Sequence, residues 1–422
     1  MIFTKLTKEE QLTIMANVAE AKGIVDNAVE KDYWVSMVLR AIFSLPYSAA
    51  FVFKGGTSLS KGWGLIERFS EDIDLAIDPK YLGFINIETK SQRTKLRKDS
   101  KKFIDGFFAL DIENRLKEYG LSESCKVIVP ETSVSDLDPV VLFVEYNSVL
   151  QTKMQYIPER VKVEISCRSL MEPSEDVEMR SMIEEVYPDE EFSLPIFTIP
   201  TVVPGRTFLE KVFLLHEEFN RPNGCTHIER ITRHMYDIVK MMDKPFAMEA
   251  MQDVQLYEDI VNHRKKFTAW SGLDYTRHLP HTISFLPPED IEDVLRDYKQ
   301  MQIGFIYANA PSFDEIMERL SELQSRFRTL VLSLAYQTAL KVFPNGIMER
   351  PTILKCCKPN GMPMIVTQKN RPKIRCTRAI SHHPIRIQST FINTLVQPPA
   401  FFPSTTSVPN GHKENTPNFH NW

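Results

Sequence analysis

KGGTSLSK (Lys54–Lys61), followed by RFSEDIDLAI (Arg68–Ile77), is the stretch on which the fold turns. Before it, Phe51–Phe53 is a short apolar run that reads as a buried strand leading into a glycine turn at Gly55-Gly56. After it, Ile73, Leu75 and Ile77 alternate with Asp72, Asp74 and Ala76. That is the two-residue period of a strand with one apolar and one functional face. A glycine turn at a helix start lets backbone N–H groups approach phosphate oxygens with no Cβ in the way, and Thr57 and Ser58 add hydroxyl donors. Asp72 and Asp74 project from one face, an arrangement of hard oxygen ligands suited to two Mg²⁺ ions in an in-line phosphoryl displacement. Either motif alone is weak. In this order, with 15 residues between Gly56 and Asp72, they point to transfer of a nucleotide from a nucleoside triphosphate.

Outward from this stretch the chain divides by pattern. Residues 7–46 read as two helices, the second with Val29, Tyr33, Met37 and Ala41 at helical spacing and Pro46 as its end. A short helix is expected over Ser58–Arg68 and a long one over residues 89–118. Strands are expected at Lys126–Pro130, Val140–Tyr146 and Val161–Ser166. In the last of these Val161, Val163 and Ile165 share one face and Lys162, Glu164 and Ser166 the other. Glu164 is therefore the candidate third carboxylate, holding metal and helping to deprotonate the attacking hydroxyl. An edge-strand glutamate paired with Lys162 is the alternative.

After Pro200 and Pro204 the pattern turns helical, in TFLEKVFLLHEEF, in HIERITRHMYDIVKMM and over residues 288–342. Lys211 sits among Phe208, Val212, Leu215 and Phe219, where it needs a partner or a ligand unless it snorkels to solvent. On the next helix Arg230, Arg233, His234 and Asp237 lie off the apolar stripe and are expected to face a cleft, or to pair as Arg and Asp on an exposed face. The division is thus a mixed lobe over 1–200, a helical lobe over 201–340 that completes the cleft, and a tail. From Lys341 onward 11 of the 27 prolines accumulate without periodicity, so 341–422 is expected to be irregular or disordered, as a genuine tail or a shifted reading frame.

The residues quoted from Lys54 to Ile77 resemble the signature of the AbiEii/MenT nucleotidyltransferases, toxins of type IV toxin–antitoxin and abortive-infection systems. Glu30-Lys31-Asp32-Tyr33-Trp34 is similar to an N-terminal helix motif of that family. Glu210-Lys211 resembles its EK pair, and Arg233-His234-Met235-Tyr236-Asp237-Ile238 its R-x-x-Y-D-[IL] motif. The resemblance covers roughly residues 10–340. It implies a polymerase β-like α/β (α+β) core with a second, mainly helical lobe. It also implies Mg²⁺-dependent transfer of NMP from an NTP, which in MenT members goes to the 3′ end of tRNA, and a cognate antitoxin. Gly55, Gly56, Thr57 and Ser58 match the triphosphate-binding turn, Asp72 and Asp74 the metal ligands, and Glu164 the third acid. Lys211 matches the lysine that contacts nucleotide, and Asp237 an active-site aspartate. The tail inherits nothing.

Composition bounds the reading. The 422 residues carry a net charge of −4, but from Lys341 onward there are 11 basic and 2 acidic residues, which leaves the body at −13. An acidic body binds nucleic acid only through local basic patches. The densest is Lys90–Lys102, with seven basic residues and Asp99. Arg93, Arg97 and Lys101 on one helical face are candidates to grip RNA phosphates, with a solvated face as the equal alternative. No run is long and apolar enough to span a membrane, and the N-terminus lacks a signal peptide's apolar core, so a cytoplasmic protein is expected. The six cysteines form no CxxC pair and suggest neither zinc nor a disulfide framework. His216, His227 and His234 read as ordinary residues, since hard-oxygen Mg²⁺ chemistry needs no histidine. The rival readings are a nucleotidyltransferase acting on a protein or small molecule, and a silent NTP-binding module.

Overall fold

Thr7 opens the first regular helix by accepting from the Glu10 amide, while the Glu10 carboxylate caps the Thr7 backbone in return, and left-handed Gly23 closes it. This helix, α1 (Lys8–Lys22), leads into α2 (Asp26–Phe43). The computed structural model describes residues 2–151, 157–222, 227–287, 291–304, 306 and 310–342. The expected irregular tail lies outside these from residue 343 onward.

The mixed part continues with β1 (Phe51–Lys54), the helical turn α3 (Gly55–Thr57) widening through Ser58–Gly62, and β2 (Ile73–Ile77). Next come α4 (Lys90–Phe103), a wide turn at Ile104–Phe108, and α5 (Ala109–Glu118). Then β3 (Cys125–Ile128), β4 (Val140–Tyr146), β5 (Arg160–Ser166), β6 (Ser174–Met179), α6 (Met182–Val186) and β7 (Phe197–Val202) follow. The strands form one seven-stranded sheet in the order β3-β4-β5-β2-β1-β7-β6. β2 runs antiparallel to β1 and parallel to β5, and β1 runs parallel to β7. The helical part holds α7 (Pro204–Phe219), α8 (Thr232–Met241), α9 (Pro245–Gln252), α10 (Val254–Phe267), α11 (Glu292–Gly304) and α12 (Phe313–Val342). No helix among the described residues is long and apolar enough to cross a membrane.

This is the expected mixed α/β fold with a helical second part. β6, β7, α9 and α10 were not read from the sequence. Val177 and Met179 of β6 are buried in alternation with Asp176 and Glu178, but these two apolar residues are too short a run to read as a strand. β7 contains Pro200, opposite Asp176, and the prolines that suggested a boundary sit within this strand and at the first turn of α7. The helix expected to run to Arg68 stops at Gly62, where Gly62-Trp63-Gly64 breaks it.

Two apolar cores result. One packs α1, α2 and α5 on the sheet, around Trp34, Met37, Phe51, Ile73, Leu142 and Val163. The other gathers α7 to α12 around Phe208, Phe213, Met235, Tyr298 and Phe327, and it includes Leu59 and Ile66. The segment between the glycine turn and the DxD strand is therefore anchored in the helical core while its two ends belong to the sheet.

Candidate active site

The register of the central strands lines up three charged side chains. Lys54 of β1 is opposite Asp74 of β2, and Asp74 is opposite Glu164 of β5. Asp72 lies two residues before Asp74, on the same face. The glycine turn is built against this row. Gly55 takes φ +82°, and a Cβ there would stand 2.0 Å from Asp74 Oδ2. A Cβ on Gly56 would lie 2.8 Å from both the Arg68 guanidinium and Ser70 Oγ. Only glycine leaves these spaces open.

Thr57 and Ser58 do not present their hydroxyls to the opening. Thr57 Oγ1 donates to the Asp72 carbonyl at 2.5 Å and stands 3.0 Å from Ser70 Oγ, while Ser58 Oγ donates to the Gly55 carbonyl at 2.9 Å. These hydroxyls tie the turn to the start of β2. The helix start itself, at Lys54, has no side-chain cap.

Like charges crowd the row. Burial, and then Glu164 and Asp72, hold the Asp74 carboxyl above the usual aspartate range, while Lys54 and Arg233 pull it the other way. Glu164 is ion-paired with Lys162 on its own strand, yet β5 is an interior strand between β4 and β2. Glu164 thus has the lysine partner of the alternative reading, though on an interior strand, and it lies opposite Asp74 in the register. No three His, Cys, Asp or Glu side chains among the described residues are gathered tightly enough to hold a metal ion by themselves. The donor set still fits Mg²⁺, which binds through one or two carboxylates and completes its shell with water and substrate phosphates. Asp72 and Asp74 would supply those carboxylates, and the like charges of Glu164 and Asp72, which add to burial in raising Asp74, are what a cation would relieve.

The second half of the motif set is built differently. Arg68 grips Asp237 of α8 with two parallel bonds, Nε to Oδ1 at 2.7 Å and Nη2 to Oδ2 at 2.8 Å. Lys211 of α7 adds an ion pair to Asp237 Oδ2 at 2.9 Å and stands 3.3 Å from His234 Nδ1. Asp237 is wholly buried, and Arg68 and Lys211 nearly so. Burial alone would raise the Asp237 carboxyl, but Arg68 and then Lys211 hold it below the usual range. Burial lowers the Lys211 ammonium against the pull of Asp237, and burial next to Lys211 and Arg233 keeps His234 well below the ordinary histidine value. The lysine therefore does have the partner its apolar surroundings demanded. Asp237 does not face a cleft as expected, and its partner is not Arg233 one turn away. Sequence reading quoted Arg68 but gave it no role. The available signal was an aspartate on a core-packed helix, which requires a cation from elsewhere.

The basic helix departs from expectation at the three residues singled out. Arg97 pairs with Asp136 at 2.5 Å, Lys101 with Asp105, and Arg93 donates to the Glu88 carbonyl at 2.9 Å. The charges of Arg97 and Lys101 are paired within the protein, and Arg93 is held against a neutral carbonyl. The exposed cations of α4 are Lys90, Lys95, Lys98 and Lys102.

Comparison with known proteins agrees with this chemistry. Residues 38–319 match the family described as nucleotidyl transferase AbiEii toxin, type IV TA system. None of the curated proteins matches by sequence. Among solved structures, the chain is similar to MenT4, a nucleotidyltransferase toxin from Mycobacterium tuberculosis H37Rv. They share 19% identity and a TM-score of 0.40, over 75% of this chain and 89% of that one. It is also similar to JHP933 from Helicobacter pylori, at 15% identity and a TM-score of 0.37, over 72% and 95% of the two chains.

Proposed function

The chain belongs to the AbiEii family of type IV nucleotidyltransferase toxins, and from that premise we propose that it uses Mg²⁺ to move NMP from an NTP onto the 3′ end of tRNA. Membership carries an NTP substrate and a cognate antitoxin. The single observation that supports the metal and the phosphate site is the row Lys54, Asp74, Glu164 with Asp72 beside it, set against a turn where only glycine fits.

In this reading Gly55 and Gly56 admit the triphosphate to the start of α3. Asp72 and Asp74 hold Mg²⁺, which when bound offsets charge on the attacking and leaving oxygens. Glu164 accepts the proton of the acceptor hydroxyl as that oxygen attacks the α-phosphate and pyrophosphate leaves. Lys211 and Arg68 present positive charge to the phosphates from the helical side, and Asp237 acts through them as a positioning residue. We take residues 1–200 and 201–340 as the two lobes whose contact this cluster forms. Support for an RNA acceptor comes from the exposed lysines of α4 on an otherwise acidic body. An NTP and tRNA as substrates place the protein in the cytoplasm.

The test incubates the purified protein with each α-labelled NTP, Mg²⁺ and total RNA. Label in the tRNA fraction, lost when the 3′ terminal hydroxyl is oxidised, is the expected result. Label in protein or in small molecules instead would overturn the acceptor, and equal labelling in the presence of a chelator would overturn the metal.

A further inference from the structure

Three consecutive charged residues of α2 are buried: Glu30, Lys31 and Asp32. Successive helix positions point about 100° apart, so the three cannot share a solvent face, and each is instead committed to a different loop. Glu30 accepts from Ser148 Oγ at 2.6 Å and from the Val149 amide at 2.9 Å. Lys31 Nζ donates to the Pro158 carbonyl at 2.8 Å and to the Arg160 carbonyl at the start of β5, and it pairs with Glu71 at 3.2 Å. Asp32 pairs with Lys61 at 2.6 Å and accepts from the Met182 amide at 2.7 Å.

Three of these partners lie in segments that carry the site. Lys61 is in the turn that continues α3. Glu71 immediately precedes Asp72. Arg160 begins the strand of Glu164. A core helix has no packing need for ions here, and a buried ion pair is weak evidence for stability when apolar residues would serve. What such a pair does supply is fixed geometry.

We propose that Lys31 and Asp32 are positioning residues for the active site, fixing the glycine turn, the Asp72 end of β2 and the start of β5 at one spacing from a single helix. Both residues precede the stretch matched to the family. The inference rests on the metal-and-NTP reading above but not on the identity of the acceptor.

The test removes each pair as a pair, because truncating one partner leaves a buried charge and risks unfolding. Lys31→Met/Glu71→Gln and Asp32→Asn/Lys61→Gln are compared with wild type by thermal unfolding and by binding of Mg²⁺–ATP and the other Mg²⁺–NTPs. A purely structural role predicts that stability and binding recover together in the double variants. A positioning role predicts near-wild-type unfolding with NTP binding weakened about tenfold or more and the Mg²⁺ requirement raised, as for other residues that orient metal ligands. Double variants that fold and bind as wild type does would overturn the positioning role alone. A wild type with no Mg²⁺-promoted binding of any NTP would overturn the metal reading and the positioning role with it.

Discussion

The site is made of two charged regions that solve the same problem in opposite ways. On the sheet, Asp72, Asp74 and Glu164 crowd negative charge, and burial plus its neighbours push Asp74 upward. On the helices, Asp237 is buried more deeply still, but Arg68 and Lys211 neutralise it within the protein. In the first region like charges remain crowded, and the metal proposed above would offset them. In the second the counter-ions come with the fold. Charge left for a ligand and charge settled in folding can thus be told apart by who supplies the counter-ion.

Removing the sheet acids separates these roles most strongly. Asp72→Ala or Asp74→Ala should cut nucleotide transfer by about a thousandfold or more, since several kcal/mol of charge stabilisation disappear. The unfolding midpoint without metal should hold or rise, because repulsion is relieved. Wild-type transfer in either variant would break the comparison at its centre. Asp237→Ala should do the reverse and lower stability by about 3–5 kcal/mol, the cost of leaving buried cations unpaired. Denaturant unfolding measures it, and an unchanged midpoint would show that the cluster is not structural.

Acidity sharpens the contrast with a smaller effect. The folded-state value of Asp74 lies above the ordinary 3.8, so its contribution is full below that value and is lost as pH rises through the raised one. Asp237 lies below 3.8, so its contribution is present above that value and is lost as pH falls through the depressed one. Metal-free protein acidified from neutrality should gain stability from Asp74 first and lose it from Asp237 later. Asp74→Asn should erase the gain and keep the loss, and superimposable profiles of midpoint against pH would refute the assignment.

The smallest effect is expected at the surface. Reversing Lys95, Lys98 and Lys102 to glutamate should weaken labelling of tRNA and flatten its salt dependence while leaving NTP binding intact. Equal labelling across a salt series would leave α4 a solvated face.

The sheet region was legible in the sequence because its logic is local. Asp72 and Asp74 announce themselves by alternation with Ile73 and Leu75, and Val161, Val163 and Ile165 do the same for Glu164. The helix-side cluster was half legible. Lys211 stood out as a charge among apolar residues, but its partners come from 23 to 26 residues onward. Arg68 reaches Asp237 across 169 residues, a separation over which no periodicity carries information. Arg97 pairs with Asp136 across 39 residues, which its helix does not reveal, whereas the partners of Lys101 and Arg93 are near in sequence, Asp105 and the Glu88 carbonyl. β6 and β7 were hidden because β6 holds only two apolar residues and β7 carries a proline.

Gly55 has a practical meaning. Any side chain there is strained by the left-handed backbone and collides with Asp74, yet it touches neither of the two apolar cores. Gly55→Ala should therefore act on the turn and on Asp74, which has to move aside, without removing a side chain from either core.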